Sequence, residues 1–186
     1  MNTEKQILVA IDADNKQIDY FIKDDIQANY EDKKSVQEYD SIIILPNDMP
    51  IAQAINELSN IVNSNGENDI NLDLLDLKTV LSHNDVAFMG VDVYEGTNAA
   101  FKAMELAIEN IPIKGAMGVL VHFYTHPNFS MMKLACAMDM IHDNAHRDAD
   151  VIFGTTTDIT VAENYVKITI IAQLEKELNP VKKGKI

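Results

Sequence analysis

Residues 113–123 read Ile-Lys-Gly-Ala-Met-Gly-Val-Leu-Val-His-Phe, and the fold prediction starts from this stretch. Its apolar run predicts a strand over Met117–Tyr124. Working outward, Val86–Val93 is a predicted strand on the N-terminal side, and Val151–Thr155 and Tyr165–Ala172 are predicted strands on the C-terminal side. A polar loop joins the last two strands, which favours an antiparallel pair.

Helical patterns separate the first three of these strands. Gly96 and Thr97 open a helix that places four apolar residues on one side: Phe101, Met104, Ile108 and Ile111. A second helix begins near Asn128 or Ser130 and contains Cys136 in an apolar pattern, so a buried, inert thiol is expected. The β-α-β-α-β-β order predicts an α/β (α+β) fold, with a mixed four-stranded sheet packed by two helices.

The N-terminal third carries shorter elements. Ile7–Ile11 and Ile18–Ile22 read as an extra strand pair, joined by the turn-forming residues 12–15. The run Ser41–Leu45 is continuously apolar, as in a strand buried on both faces. Asp48 can then cap a helix whose apolar stripe consists of Ile51, Ile55, Leu58 and Val62.

Composition limits the classes of function. The chain has 186 residues, 47% of them hydrophobic, and a formal net charge of −14. This length suits one domain, or one plus an appendage. The acidic balance disfavours nucleic acid and anionic membrane as partners. The polar N-terminus, and the lack of an apolar run near the roughly 18 residues of a membrane span, predict a cytoplasmic protein without membrane insertion.

Five colinear segments carry a family resemblance. They are Tyr39-Asp-Ser-Ile-Ile-Ile-Leu-Pro-Asn-Asp48, Asn71-Leu-Asp-Leu-Leu-Asp-Leu-Lys-Thr-Val80, the stretch 113–123, Asp150-Val-Ile-Phe-Gly-Thr155 and Val166-Lys-Ile-Thr-Ile-Ile-Ala172. Together they resemble FtsZ, the bacterial tubulin homologue, and above all its C-terminal domain. The resemblance implies a tubulin-type C-terminal domain fold. It also implies a role in cell division, by polymerisation at the division site.

The same resemblance implies a division of the chain into four parts. These are an N-terminal strand pair and linker without a family match (1–38), a remnant of the central helix with the synergy loop (39–82), an FtsZ-like C-terminal domain (83–174) and a flexible tail (175–186). The first glycine is Gly66, and a phosphate cradle is normally built from glycine-rich turns. The GTP-binding domain of the family is therefore expected to be missing, and we predict that the chain alone is not a GTPase.

The segment 71–80 is similar to the catalytic synergy loop of the family. In FtsZ-like filaments this loop acts on the nucleotide of a neighbouring subunit, so the resemblance implies catalytic roles for Asn71, Asp73 and Asp76 in trans only. Asp73 and Asp76 could orient a water molecule, because phosphoryl transfer depends mainly on positioning and charge stabilisation. GTP and Mg²⁺ would reach them only through a partner subunit. The alternative is structural: Asp73 is an N-cap and Asp76 a first-turn acid.

The histidines allow a rival interpretation. His142 and His146 lie at i, i+4 beside several aspartates, a spacing that can bind zinc, but the metalloprotease pattern is absent. No metal and no bound cofactor are therefore predicted. For His122 and His126 we expect a surface or partner-contact role.

Three hypotheses for function remain open. The first is an assembly or modulating module that docks its 71–76 loop on the nucleotide face of an FtsZ subunit. The second is a fragment or split half of an FtsZ GTPase that supplies aspartates in trans. The third is a scaffold whose residues 1–40 form the functional surface. The expected partners are FtsZ or a second copy of the chain.

Overall fold

The computed structural model describes residues 5–22, 40–46, 48–64 and 66–175. Within these residues, seven strands form one sheet. The strands are β1 (Gln6–Asp12), β2 (Gln17–Ile22), β3 (Ser41–Ile44), β4 (Val86–Glu95), β5 (Ala116–Thr125), β6 (Asp150–Thr157) and β7 (Tyr165–Leu174). The predicted linker and most of the predicted tail, 23–39 and 176–186, lie outside the described residues.

Four helices accompany the sheet in the described ranges. They are α1 (Ile51–Asn63), α2 (Leu74–Val80), α3 (Ala99–Glu109) and α4 (Met131–Asn144). None of them combines the length and the apolar character needed to cross a bilayer.

The strand order is β2-β1-β3-β4-β7-β5-β6. β3–β4 and β5–β6 are parallel pairs, and the other neighbours are antiparallel. The predicted pairing of the last two strands is wrong, because β7 inserts between β4 and β5 while β6 takes the outer place. The burial of the strands explains this order: β7 is buried almost throughout, whereas β6 starts exposed and stays only partly buried for much of its length.

Two apolar cores lie on opposite faces of the sheet. On one face, α3 and α4 pack over β4, β5 and β7 around Met104, Phe123 and Ile168. On the other face, α1 and α2 share a core with residues of β1, β3, β4, β5 and β7, in which Leu58 and Leu77 are fully buried. The predicted four-stranded sheet with two helices is therefore present as β4–β7 with α3 and α4. It is one part of a larger sheet, which β3 and the predicted N-terminal strand pair extend.

Several local predictions need correction. Cys136 is exposed, because α4 turns Leu134, Ala137 and Met138 into the core instead. Phe101 is also exposed, at 47%, since α3 packs through a face rich in alanine. Asp48 does not cap α1, which begins after Pro50 without any side-chain cap.

The apolar stripe of α1 is rotated from the prediction. Of the four predicted stripe residues only Leu58 is fully buried. The buried face of α1 consists of Ala54, Glu57, Leu58 and Ile61. The shift arises because Glu57 faces a polar patch of the sheet, where Lys167 neutralises its carboxylate.

Candidate docking loop

The acidic loop, residues 69–76, lies along the outer edge of β6. The amide of Ile70 donates to Thr155 Oγ1 over 2.8 Å, and the amide of Thr155 donates to the Ile70 carbonyl over 2.9 Å. Thr157 Oγ1 donates to Asp69 Oδ1 over 2.9 Å. These contacts join segments more than 80 residues apart in sequence, and they hold the loop in a defined place beside the sheet.

Two glycines let the loop and α2 approach the sheet closely. A Cβ atom at Gly154 would lie 2.4 Å from Leu72 Cγ and 2.8 Å from the Ile70 carbonyl oxygen. A Cβ atom at Gly118 would lie 2.2 Å from the Val80 carbonyl oxygen. Glycine is therefore required at both positions for this packing.

Asp73 and Asp76 form a reciprocal capping box at the start of α2. Asp73 Oδ1 accepts from the amides of Leu75 and Asp76, at 2.8 and 2.9 Å. Asp76 Oδ2 accepts from the amide of Asp73 at 2.9 Å. This arrangement satisfies backbone donors that a helix start leaves free. The structural alternative for both residues therefore has the required geometry, and each bond described here uses only one oxygen of each carboxylate.

Asn71 lies in the same loop, but its contacts are with other residues. Its Nδ2 donates to the Gly66 carbonyl and its Oδ1 accepts from Ser64 Oγ, both over 3.4 Å. Asn71 and Asp73 are exposed, and Asp76 is partly buried. The loop therefore presents one amide and one carboxylate to solvent, with a second carboxylate beside them.

Buried apolar residues anchor the backbone of the acidic loop to the core. Leu72, Leu74 and Leu77 are buried in the core that α1 shares with α2. Leu75, in contrast, is 61% exposed, and Ile70 is 37% exposed. The loop thus combines a buried apolar base with an outer surface that is part acidic and part aliphatic.

A buried polar network lies next to the loop, under α1. Lys167 Nζ is 2.9 Å from Glu57 Oε1 and 4.9 Å from the centre of the Tyr124 ring. His122 is 2% exposed and shares a hydrogen bond of 2.8 Å with Thr156 Oγ1. The expected surface role for His122 is therefore wrong. Its side chain is internal, because β5 directs it toward the face that α1 and α2 cover.

Burial changes the acid–base behaviour of this network. Desolvation, helped by the charge of Lys167, lowers the pKa of His122 to about 4. Tyr124 lies at the end of this network that is nearer to solvent. Partial burial and the hydrogen bond to Asp158 raise the pKa of Tyr124 to about 12. The same hydrogen bond, with two from Thr160, lowers the pKa of Asp158 to about 2. His122 is therefore a neutral hydrogen-bonding group near pH 7.

Two residues of the rejected zinc interpretation, His146 and the nearby Asp150, have other partners. His146 Nδ1 accepts from the amide of Asp148, and Asp150 Oδ2 is 2.9 Å from His83 Nε2. Among the residues that the structure describes, no three His, Cys, Asp or Glu side chains are grouped so that they could hold a metal ion.

Sequence reasoning missed the residues that hold the loop, namely Ser64, Gly154, Thr155 and Thr157. A signal was present, since β6 ends in three consecutive threonines directly after Gly154. A run of hydroxyl groups at the end of a strand can bind a neighbouring segment, but the sequence does not show which segment that is.

Comparison with known proteins agrees with this architecture. Residues 85–174, which hold β4 to β7 with α3 and α4, match the model of the FtsZ family, C-terminal domain. Residues 85–174 form a domain of the FtsZ C-terminal type. The match lies within the predicted domain 83–174, whereas the other predicted boundaries stay predictions.

Curated relatives extend the similarity upstream of that domain. The chain is 32% identical to the cell division protein FtsZ of Helicobacter pylori over 165 residues, which is 75% of this chain and 42% of the relative. It is 33% identical to the cell division protein FtsZ of Neisseria meningitidis over 181 residues, 83% of this chain and 45% of the relative. The chain therefore spans less than half the length of these relatives.

Solved structures agree on the fold. An empty FtsZ dimer from M. jannaschii matches with a TM-score of 0.55 at 20% identity, covering 75% of this chain and 48% of the other. A W319Y mutant of FtsZ from the same source matches with a TM-score of 0.54 at 21% identity, over 68% of this chain and 42% of the other. At these identities the likeness concerns the fold alone.

Proposed function

We propose that this chain is an assembly module of FtsZ-type filaments. Residues 71–76 of its acidic loop dock on the nucleotide face of an FtsZ subunit, and the chain so caps or modulates the polymer. The module works in the cytoplasm, at the division site. GTP and Mg²⁺ meet the loop only when the partner subunit brings them.

One observation carries this proposal: the acidic loop is both fixed and exposed. The hydrogen bonds to Thr155 and Thr157 set its position, while Asn71 and Asp73 remain open to solvent. A loop that is ordered before binding loses little conformational entropy in the complex. A fixed acidic projection therefore suits recognition of a complementary surface.

A second function keeps the same loop but adds chemistry. Asp73 and Asp76 each use one carboxylate oxygen in the capping box, so the other can accept a hydrogen bond from water. In that case the chain supplies aspartates in trans to a nucleotide held by its partner. Alone, it neither binds nor hydrolyses GTP, and calorimetry with GTP should give no binding heat.

The test mixes the chain with a polymerising FtsZ and GTP, and records both polymer mass and GTP turnover. The key variant is the pair Asp73→Asn with Asp76→Asn. Asparagine serves at the N-cap about as well as aspartate, and at position 76 its side-chain oxygen can still accept the bond from the amide of residue 73, but neither asparagine carries a charge. The wild-type chain should change polymer mass at substoichiometric ratios, and the double variant should not. An unchanged polymer over a wide range of ratios would disprove the assembly proposal.

Turnover separates the two functions. If the wild-type chain raises GTP hydrolysis per polymerised subunit and the double variant does not, the catalytic function is supported. If polymer mass changes while turnover per polymerised subunit stays constant, the chain modulates assembly only.

A further inference from the structure

We propose that the buried His122 is a positioning residue that orients the side-chain amide of Asn71, so that the acidic loop presents an N–H donor, and not an oxygen, to its partner. The contact with a partner rests on the proposed function, whereas the orientation of the amide concerns this chain alone. His122 is 2% exposed, and Asn71 lies at the surface. The hydroxyl groups of Thr156 and Ser64 connect the two side chains.

The connection is a series of three hydrogen bonds that run in one direction. His122 Nε2 lies 2.8 Å from Thr156 Oγ1, and Thr156 Oγ1 donates to Ser64 Oγ over 2.8 Å. Ser64 Oγ donates to Asn71 Oδ1 over 3.4 Å and also lies 3.5 Å from the Thr155 carbonyl oxygen. A hydroxyl group has only one proton to donate. Because Thr156 donates its proton to Ser64, it must accept one from His122.

This direction fixes the tautomer of His122. A neutral imidazole carries one proton, on either of its two ring nitrogens, and the bond to Thr156 requires that proton on Nε2. Desolvation and the nearby charge of Lys167 lower the pKa of His122 to about 4, so the ring carries no second proton at pH 7. His122 is therefore the Nε2–H tautomer.

At the other end of the series, the same direction decides how Asn71 faces its surroundings. Its Oδ1 accepts from Ser64, and one of the two hydrogens on its Nδ2 donates to the Gly66 carbonyl over 3.4 Å. The second hydrogen is available to a partner. Turning the amide over would set its N–H against the hydroxyl proton of Ser64 and its oxygen against that of Gly66. Two hydrogen bonds would then become two repulsive contacts.

The group on the partner that meets Asn71 is therefore an oxygen acceptor. An ionised carboxylate such as that of Asp73, two residues further on, can only accept hydrogen bonds. Asn71 thus supplies a donor beside an acceptor. The complementary oxygen belongs either to the partner's protein surface or to its bound nucleotide.

Nuclear magnetic resonance of the free chain tests the orientation. Nitrogen shifts distinguish protonated from unprotonated ring nitrogens, and His122→Gln identifies the His122 signals among the five histidines. At pH 7 the wild-type ring should be protonated at Nε2 only. Thr156→Val removes the middle hydroxyl but keeps the branched shape, so it should shift the side-chain amide resonances of Asn71. Thr156→Ser should restore them.

Thr169→Val is the matched control. Thr169 is a buried strand residue opposite His122 in the β5–β7 register, and its Oγ1 is 3.4 Å from Glu57 Oε2, outside the series that leads to Asn71. This variant should leave the Asn71 amide resonances near their wild-type positions. Protonation of wild-type His122 at Nδ1, or equal Asn71 shifts in both valine variants, would overturn the proposal.

Binding to GTP-loaded FtsZ tests the donor. Asn71→Asp keeps an oxygen for Ser64 but replaces the outward amide nitrogen with a second oxygen, so it should bind at least about fivefold more weakly than wild type and more weakly than Asn71→Ala. A fluorophore on Cys136 can report binding, because this cysteine is exposed on α4, which packs on the opposite face of the sheet from α2.

Repeating the titration with GDP-loaded FtsZ distinguishes the two sources of the oxygen. The penalty of Asn71→Asp should disappear if the acceptor is a terminal phosphate oxygen, and it should remain if the acceptor belongs to the protein. Binding of Asn71→Asp as tight as wild type in both states would overturn the donor assignment. If the wild-type chain does not bind FtsZ at all, the docking function fails, while the resonances of His122 and Asn71 still decide the orientation.

Discussion

Asp73 combines two properties that a substitution can separate. It caps α2 through two backbone amides, and it exposes negative charge where the docking contact is proposed. Asp73→Ala should lower the free energy of unfolding by about 1 kcal/mol, because the cap is lost. Asp73→Asn should change it by a few tenths of a kcal/mol at most, about the difference between good capping residues.

Urea unfolding at pH 7 checks this prediction. Equal losses for the two variants would mean that the charge, and not the cap, stabilises the start of α2. Such a result would also remove Asp73→Asn as a folding-neutral probe of docking.

His122 makes the stability of the fold depend on pH. Its pKa is lowered to about 4 in the folded protein, against about 6.5 in an unfolded chain. Between pH 6.5 and pH 4, His122 therefore binds a proton in the unfolded state but not in the folded state. Stability should fall as pH drops from 6.5 to 4, by at most about 3 kcal/mol from this residue.

His122→Gln removes the titrating group and keeps hydrogen-bonding capacity. The difference in unfolding free energy between wild type and this variant should shrink, or change sign, between pH 7 and pH 4. Parallel curves for the two proteins would show that His122 takes up its proton equally in both states.

Among the secondary-structure elements, β6 decides where the acidic loop lies. Gly154→Ala would place a Cβ atom 2.4 Å from Leu72 Cγ, and such overpacking costs about 1–3 kcal/mol. This clash can be relieved if the acidic loop moves away from β6. Hydrogen exchange at the amides of Ile70 and Thr155 should therefore speed up more than exchange in the sheet as a whole.

Gly90→Ala is the control for general destabilisation. A Cβ atom there would lie 2.7 Å from the Ala107 carbonyl oxygen, on the α3 face of the sheet. This variant should lose stability without selective exchange at the loop. Identical exchange profiles for the two variants would contradict the role given to Gly154.

The elements differ in how well the sequence predicts them. β3 and the central strands are continuous apolar runs, and such runs identify buried strands locally. The order of β6 and β7 depends on which strand has more surface to bury, and this is settled by contacts far apart in sequence. The capping roles of Asp73 and Asp76 at the start of α2 could be predicted from these two residues alone. The hydrogen bonds that join the acidic loop to Thr155 and Thr157 could not, since no local sequence pattern relates residues 69–70 to 155–157.

For the molecule as a whole, the N-terminal hairpin is a structural part of the sheet. Ile7, Val9 and Ile11 are buried at 0%, 0% and 6%, in the core that also contains α1 and α2. Deleting residues 1–22 would open this core and expose the edge of β3. Exposed apolar surface and an unpaired strand edge promote aggregation.

The deletion variant should therefore show a lower thermal midpoint and form oligomers, as seen by light scattering. A monomeric variant with an unchanged midpoint would favour the third hypothesis, in which this region is a separate binding arm. The sequence predicted the strand pair. Its place beside β3 became clear only from the register Ile7↔Ile43 and its neighbours.

The most direct measurement of the central claim is a binding titration with GTP-loaded FtsZ. The wild-type chain and the Asp73→Asn, Asp76→Asn variant would each carry a fluorophore on Cys136. We predict saturable binding of the wild-type chain and at least about tenfold weaker binding of the folded double variant. Equal affinity of the two chains, or no binding of either, would contradict docking through the acidic loop.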